Sequence, residues 1–265
     1  IPIIVALYYH DFNSILPFMT TGFLSLFIGI LFGKLQKKAY AEDSLNDIKR
    51  SEALLVVSLS WLIVGLIVSV PFLFYGFTPI NALFEGVSGI TTTGATILQN
   101  FDLPKTIMFW RSFTQWLGGM GIIVLFVAIL PQFAVAGRQM FFAEAPGPTE
   151  DKFTPRIKNT ASALWIIYAG LTFVCALSLW LVGMNPFDAI CNALSTLSAG
   201  GFSPNALGIA GYGSNAVCWI IIFFMFISGA SFVLQSRVIT RKKLSLFWKS
   251  EEFRGYAGII TFISL

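Results

Sequence analysis

Charged residues are scarce in this chain of 265 residues: 11% are Asp, Glu, Lys or Arg, whereas 56% are apolar. This balance excludes an ordinary soluble domain, in which about a quarter of the residues are charged. His10 is the only histidine, and the three cysteines form no CxxC pair. The sequence therefore offers no residue set typical of a zinc site or a disulfide framework.

Long apolar runs dominate the chain, and several reach the roughly 20 residues that cross a bilayer. Because a proline removes a helical hydrogen bond, Pro71 is expected to kink the end of one span. We predict an all-α polytopic membrane protein whose spans, the first and last of them incomplete, are 1–9, 15–33, 53–75, 107–130, 160–183, 214–239 and 255–265.

The basic residues predict the orientation of these spans. If the segments following 15–33, 107–130 and 214–239 are cytoplasmic, 15 of the 17 lysines and arginines lie on that side, as the positive-inside rule requires. Only Lys105 and Arg111 fall on the other side. The polar segment 138–158 contains Pro155 and two other prolines, which argues against a long helix there.

Two apolar segments, 81–90 and 186–197, are about three turns long and too short to span. Thr78 and Pro79 before the first are a predicted N-cap and first helical residue. Each segment runs into a polar stretch, TTTGAT at 91–96 and SAGGFS at 198–203. Non-helical backbone at membrane depth must be buried in protein or line a water-filled path. The pattern predicts two re-entrant pore hairpins; a threonine-rich turn between helices is the alternative.

The two hairpins are related by a shift of 107 residues. This shift superposes five identical pairs: Gly76 and Gly183, Pro79 and Pro186, Ala82 and Ala189, Ser88 and Ser195, and Gly94 and Gly201. The flanking spans superpose as well, so the unit span, pore helix, filter, span occurs twice in one orientation. We therefore predict a pseudo-symmetric ion pore built from these repeated units.

A carbonyl-lined filter needs about four contributing loops, as in potassium channels. Two further units in a longer protein, or a second chain, must supply the rest. The chain starts at Ile1 and stops at Leu265, each within an apolar run, and we expect it to be a piece of a longer protein.

Four stretches carry a resemblance to a known family: NALFEGVSGITTTGATIL at 81–98, WRSFTQWLGGMGIIVL at 110–125, AEAPGPTEDKFTPRIKNTA at 143–161 and NALSTLSAGGFSPN at 192–205. They resemble the first filter, the following helix, the inter-repeat loop and the second filter of the TrkH-type potassium transporters. The two leading spans favour this type over the shorter KtrB-type relatives.

The resemblance implies a four-repeat pore of which this chain holds two repeats. It places K⁺-coordinating backbone carbonyls at Thr92, Thr93, Ala199 and Gly200, and the filter glycines at Gly94 and Gly201. It implies K⁺ uptake across the bacterial inner membrane, with no organic cofactor and no catalysis. It also implies a homodimer and a cytosolic nucleotide-binding ring similar to TrkA.

The expected organisation has five parts: an N-terminal two-span segment with its loop, 1–50; a first pore repeat, 51–137; a cytoplasmic loop, 138–159; a second pore repeat, 160–240; and a further loop with the start of a span, 241–265. At both filter glycines we predict a conformation or a close approach that a Cβ would obstruct. Another secondary transporter, with a midplane site in broken helices, is the alternative function. An intramembrane enzyme is disfavoured because the spans hold no HExxH, GxSxG or paired carboxylates.

Three further features are interpreted from the sequence alone. Glu85 on the first pore helix either adds a negative field for cations or accepts hydrogen bonds from loop amides. Asp188 is expected to cap the second pore helix. A small-residue patch formed by Gly118, Gly119 and Gly121 is expected to allow close helix packing.

Overall fold

The computed structural model describes residues 1–39, 50–121 and 153–264, and the side chains of 1–34, 55–121 and 162–264. Every regular element in these ranges is helical. In chain order they are α1 Pro2–Tyr8, a 3₁₀ turn Phe12–Ser14, α2 Ile15–Ala39, α3 Arg50–Leu73, α4 Pro79–Ile90, α5 105–121, α6 Phe153–Leu181, α7 Pro186–Leu197, a 3₁₀ turn Gly208–Tyr212, α8 Asn215–Gly229, α9 Phe232–Arg241, α10 Ser245–Lys249 and α11 Glu251–Ser264.

Three helical segments in the described ranges are long and apolar enough to cross a bilayer: Phe12–Lys34, Leu55–Leu73 and Ser162–Leu181. They run for 23, 19 and 20 residues, and at most 28% of each is buried inside the protein. Large apolar side chains such as Phe27 and Phe173 consequently lie on the outside, with about two thirds of their surface exposed. Such an exterior suits lipid rather than water, which agrees with the predicted membrane protein.

The two half-length helices, α4 and α7, have 12 residues each. At about 1.5 Å per residue they reach about 18 Å, well short of a bilayer core of about 30 Å. Each has proline in its first turn, and each is capped by a side chain, because Thr78 accepts from the Asn81 amide and Asn185 from the Phe187 amide. The predicted cap at Asp188 is wrong: Asn185 caps α7, and Asp188 lies in the first turn of that helix.

Helix α5 packs between the two halves of the chain. Helix α3 packs on α4, and α6 packs on α7. On the first side, Ile107 and Trp110 of α5 join a buried cluster with Phe72 of α3. On the second side, Met108 and Phe109 of α5 lie in a buried cluster with residues of α7. Because α5 contributes to both clusters, it lies close to the C-terminal ends of both short helices.

The predicted span 214–239 is interrupted: its two helices, α8 and α9, are together apolar enough to cross a bilayer, but the chain bends by 93° between them. Helix α8 ends at Gly229, and α9 begins at Phe232. Gln235 Nε2 donates to the carbonyl oxygens of Ile227 at 2.8 Å and Ala230 at 3.0 Å. The bond to Ala230 O supplies a donor to a carbonyl at the break, whereas Ile227 O also accepts from the Ala230 amide at 3.1 Å. Hydropathy did not reveal the bend, since the two helices taken together are apolar enough to pass as one span.

Several predicted boundaries shift. Helix α3 runs through Pro71 and ends two residues later, at Leu73. Helix α6 begins at Phe153, so the interpretation of Pro155 as opposing a helix is wrong: it lies in the first turn, where a proline is tolerated. The segment predicted as a loop after 240 contains α10 and the first turn of α11, which continues into the predicted span 255–265. The predicted span 107–130 is helical over its described part, whereas residues 122–152 lie outside the described ranges.

Candidate functional site: two polar loops

The first polar loop (91–97) follows α4, and the second polar loop (198–203) follows α7. Both begin with the same backbone arrangement, in which two successive amides bond to helix carbonyls three and five residues earlier. These bonds are Thr92 N to Gly89 O at 3.0 Å, Thr93 N to Ser88 O at 3.0 Å, Ala199 N to Thr196 O at 3.1 Å and Gly200 N to Ser195 O at 2.9 Å. This is the Schellman pattern of helix ends, repeated at a spacing of 107 residues.

Left-handed backbone recurs at equivalent positions of the two loops. Thr92 has φ 56° and Ala199 has φ 54°, although neither is a glycine. Two residues later, Gly94 has φ 74° and Gly201 has φ 89°. A side chain in this region costs about 1–2 kcal/mol. The predicted requirement for glycine at both positions is therefore confirmed as a conformational one.

The two polar loops touch each other through Gly94 and Gly200. A Cβ placed on Gly94 would overlap the carbonyl oxygen of Gly200. Around Gly201, in contrast, no atom lies within 4 Å of an added Cβ. Gly94 thus has both a positive φ and a close contact with the other loop. At Gly201, only the positive φ disfavours a side chain.

The carbonyl oxygens predicted as ligands accept no hydrogen bond from the described residues. In the part of the chain that the structure describes, no hydrogen-bond donor meets the backbone oxygens of Thr92, Thr93, Ala199 or Gly200. Both short helices also end at the loops, so the negative ends of their dipoles are directed there. Unpaired carbonyls near two negative helix ends form an environment suited to a cation and unsuited to an anion.

A buried ion pair lies behind the first polar loop. Arg111 Nε is 3.4 Å from Glu85 Oε2, and the two side chains are 2% and 0% exposed. Glu85 Oε1 accepts from the Ile97 amide at 2.9 Å and from the Thr96 hydroxyl. Arg111 Nη2 donates to Thr96 Oγ1 at 2.9 Å. Of the two interpretations of Glu85, the structure supports the acceptor of loop hydrogen bonds.

Sequence reasoning missed the role of Arg111, which the positive-inside rule only assigns to the non-cytoplasmic side. It lies in α5, paired with Glu85, and its guanidinium carbon is 4.3 Å from the centre of the Phe202 ring in the second polar loop. An available signal was the position of this arginine within the segment predicted to span, since ionisable residues at membrane depth usually have partners.

Gln115, one turn after Arg111 in α5, was also missed. Its Oε1 accepts from the Phe202 amide at 3.1 Å, and its side chain is fully buried. The side-chain amide also packs directly on Gly200, where an added Cβ would lie 2.7 Å from Nε2. Helix α5, which follows the first polar loop, therefore contacts the second one as well.

Glycines bring α5 close to the ends of both short helices. A Cβ on Gly118 would overlap the carbonyl oxygen of Ile90, the last residue of α4. A Cβ on Gly119 would lie 2.9 Å from Ser198 Cβ, at the end of α7. At Gly121 the nearest atom, from Trp61, would be at an ordinary 3.6 Å. The predicted close packing is confirmed for Gly118 and Gly119.

The second polar loop has different support from the first. Asn192 takes the position equivalent to Glu85 and donates to Asp188 O at 2.9 Å and to Tyr212 Oη at 3.0 Å. Ser88 Oγ donates to Ala95 O at 2.5 Å, whereas the equivalent Ser195 Oγ is buried without a partner among the described residues. Ser195 lines a cavity of about 130 Å³ beside the loop.

The chain is similar to known transport proteins over nearly its whole length. Residues 20–265 match the family model TrkH, described as a cation transport protein. The chain is 42% identical to the Trk system potassium uptake protein TrkH of Vibrio parahaemolyticus over 267 residues, which covers 97% of this chain and 53% of the relative. It is also 42% identical to the protein of that name from Escherichia coli K12, with 98% and 53% covered.

The fold is similar to the crystal structure of the potassium transporter TrkH from Vibrio parahaemolyticus. The TM-score is 0.84 at 38% sequence identity, and the match covers 98% of this chain and 53% of that one. The chain thus spans about half the length of the relatives it matches. Its fold is that of an all-α, multi-pass membrane protein, and the chain belongs to the TrkH family of cation transport proteins.

Proposed function

We propose that this chain forms half of a pore for potassium uptake, with the two polar loops as part of its selectivity filter. The ligands of the ion are the backbone carbonyls of Thr92 and Thr93 in the first polar loop, and of Ala199 and Gly200 in the second. The observation that carries the proposal is that these four oxygens meet no donor from the described part of the chain, at equivalent places in two loops that touch.

Carbonyl oxygens suit this task because they replace the water around a dehydrated monovalent cation. Among the described residues, no group of three His, Cys, Asp or Glu side chains is placed to hold a metal ion. In this proposal the ion is the transported substrate and is held by backbone dipoles. The relatives are named potassium uptake proteins, which makes K⁺ the first cation to test.

The pore arises by repetition. The units 51–137 and 160–240 each supply one span, one half-length helix, one polar loop and one returning helix. Two loops cover part of a ring, and Thr93, Ala199 and Gly201 are exposed in this chain. About four loops complete a carbonyl filter. The remaining loops belong to the part of the relatives that this chain does not span.

The assembly lies in the bacterial inner membrane as a homodimer, with a TrkA-like nucleotide-binding ring on its cytosolic side. The segment 236–254 carries the arginines and lysines Arg237, Arg241, Lys242, Lys243, Lys249 and Arg254 and is the candidate contact for that ring in the described part of the chain. The alternative role of these basic residues is to orient the spans by the positive-inside rule.

Uptake of ⁸⁶Rb⁺ into liposomes tests the proposed function. The full-length protein containing this chain should take up ⁸⁶Rb⁺, unlabelled K⁺ should compete, and Na⁺ should compete less. Protein-free liposomes provide the background. No uptake above that background, from protein that is correctly inserted and monodisperse, would contradict the proposal.

A further inference from the structure

Gln115 is on a helix of the first repeat, yet its hydrogen bond goes to the loop of the second repeat. Its Oε1 accepts from the amide of Phe202, 87 positions further along the chain, at 3.1 Å. Helix α5 begins only after the first polar loop has ended. This bond therefore joins the first repeat to the second, between residues that are far apart in the sequence.

The side-chain amide of Gln115 fills the space where the two polar loops meet. An added Cβ on Gly200 would lie 2.5 Å from Oε1 and 2.7 Å from Nε2, so only a glycine fits against this amide. An added Cβ on Gly94 would lie 3.7 Å from Nε2. The same Gly94 also meets the carbonyl oxygen of Gly200. One buried side chain thus packs on the second loop and lies beside Gly94 of the first, at the point where the two loops meet.

The hydrogen bond determines how the amide is oriented. A backbone N–H can only donate, so the atom facing Phe202 must be the oxygen of Gln115. Nε2 then faces away, and it is buried without an acceptor among the described residues. A buried, unpaired N–H group destabilises a fold. A methionine or leucine would fill this volume without that cost, so packing alone does not account for a glutamine.

We infer that Gln115 is a positioning residue for ion selectivity: it holds the second polar loop at a set distance from the first. The inference rests on the proposed function, since it assumes that the Ala199 and Gly200 carbonyls bind the ion. Discrimination by a ring of carbonyls depends on their number and field strength. When the Phe202 amide loses its acceptor, the adjacent loop backbone is free to move and its carbonyls leave their positions.

The substitution Gln115→Met tests this directly, since methionine is similar in volume but is a poor acceptor. Gln115→Asn is the second variant, because it keeps the amide but withdraws it by one methylene. Thr172→Val is the matched control: Thr172 Oγ1 accepts from Trp116 Nε1 at 3.0 Å, a part-buried bond between helices that does not involve either loop. All three are made in the full-length protein and reconstituted in liposomes.

The measurements are the ratio of ⁸⁶Rb⁺ to ²²Na⁺ uptake and the midpoint of thermal unfolding in detergent. For each Gln115 variant, the uptake ratio should fall about fivefold, which corresponds to about 1 kcal/mol, the contribution of one hydrogen bond. The Thr172 variant should lose thermal stability while keeping the wild-type ratio.

A wild-type uptake ratio in the Gln115 variants, or a change no larger than that of Thr172→Val, would overturn the inference. If Gln115→Met does not insert, Gln115→Asn decides the question; if neither inserts, Gln115 is a residue of general structural importance and the inference is wrong. An unsubstituted protein that takes up no ⁸⁶Rb⁺ is a different outcome and counts against the proposed function itself.

Discussion

Gly94 and Gly200, 106 positions apart, meet so closely that a single methyl group on Gly94 would overlap the Gly200 carbonyl oxygen. The contact joins two loops of different repeats. Each loop leaves its helix through the same pair of backbone hydrogen bonds. The two repeats therefore share the backbone geometry of the candidate ion site. Because the loops touch, we expect a substitution in one loop to shift the backbone of the other.

Serine at either loop glycine should alter which cations pass. Gly94→Ser meets both an unfavourable φ of 74° and the Gly200 carbonyl, whereas Gly201→Ser meets only its φ of 89°. We expect both variants to insert, and Gly94→Ser to change the ratio of K⁺ to Na⁺ uptake more. A change of about fivefold or more is in line with a backbone cost of about 1–2 kcal/mol.

Gly29→Ser is the control for these glycine variants, because an added Cβ at Gly29 of α2 meets no atom within 4 Å. It should leave uptake unchanged. Normal expression of both loop variants together with wild-type K⁺ and Na⁺ uptake would show that these loops are not the filter.

Removing one partner of the Glu85–Arg111 pair should destabilise the protein strongly. Arg111→Met leaves the Glu85 carboxylate buried at 0% exposure, and such losses cost about 3–5 kcal/mol. In the double variant Glu85→Gln, Arg111→Met, no charge remains buried, so its loss should be smaller than the sum of the two single losses. Thermal unfolding in detergent of the two single variants and the double variant measures this coupling.

The exposed pair Glu251 and Arg254 offers a comparison for the buried one. Its atoms are 4.0 Å apart, and the side chains are 93% and 56% exposed. Arg254→Ala should therefore shift the unfolding midpoint little, as exposed ion pairs generally do. Strictly additive losses at Glu85 and Arg111 would mean that the two side chains do not act as a pair.

Gln235 should be needed for the bend between α8 and α9. Gln235→Leu removes the side-chain donor to Ile227 O and Ala230 O. Ile227 O keeps the Ala230 amide as a donor, whereas leaving the Ala230 carbonyl unsatisfied costs about 1–3 kcal/mol. We expect a lower unfolding midpoint for this variant. Thr261→Ala, which removes an exposed hydroxyl bonded within its own helix, should not lower it. Equal midpoints for the two variants would indicate that other contacts set the bend.

The orientation of the chain remains a prediction from its basic residues. Cysteines at Lys37, Arg156 and Lys242 should resist an impermeant thiol reagent added to intact cells, because all three positions are expected in the cytoplasm. Leu207, which follows the second polar loop and is 76% exposed, should be labelled from outside. Labelling at two of the three basic positions would reverse the orientation.

Local signals in the sequence determined a large part of this protein. The long apolar runs predict spans because a bilayer requires about 20 apolar residues in a row. The proline in the first turn of each short helix predicts where that helix starts. The glycines 107 residues apart predict a conformation or close approach that a Cβ would obstruct at Gly94 and Gly201. Each of these signals lies within a few residues or in a simple repeat. It can therefore be recognised without knowing any tertiary contact.

Only the tertiary structure decided how the loops are held. Arg111 meets Glu85 across 26 positions, and Gln115 meets Phe202 across 87, and neither pairing follows from spacing or hydropathy. At the bend after Gly229, Gln235 likewise donates to two carbonyls five and eight positions earlier. Hydropathy records only whether a segment prefers lipid. Which buried polar groups pair with each other is set by how the helices pack, because each such group must find its partner inside the fold.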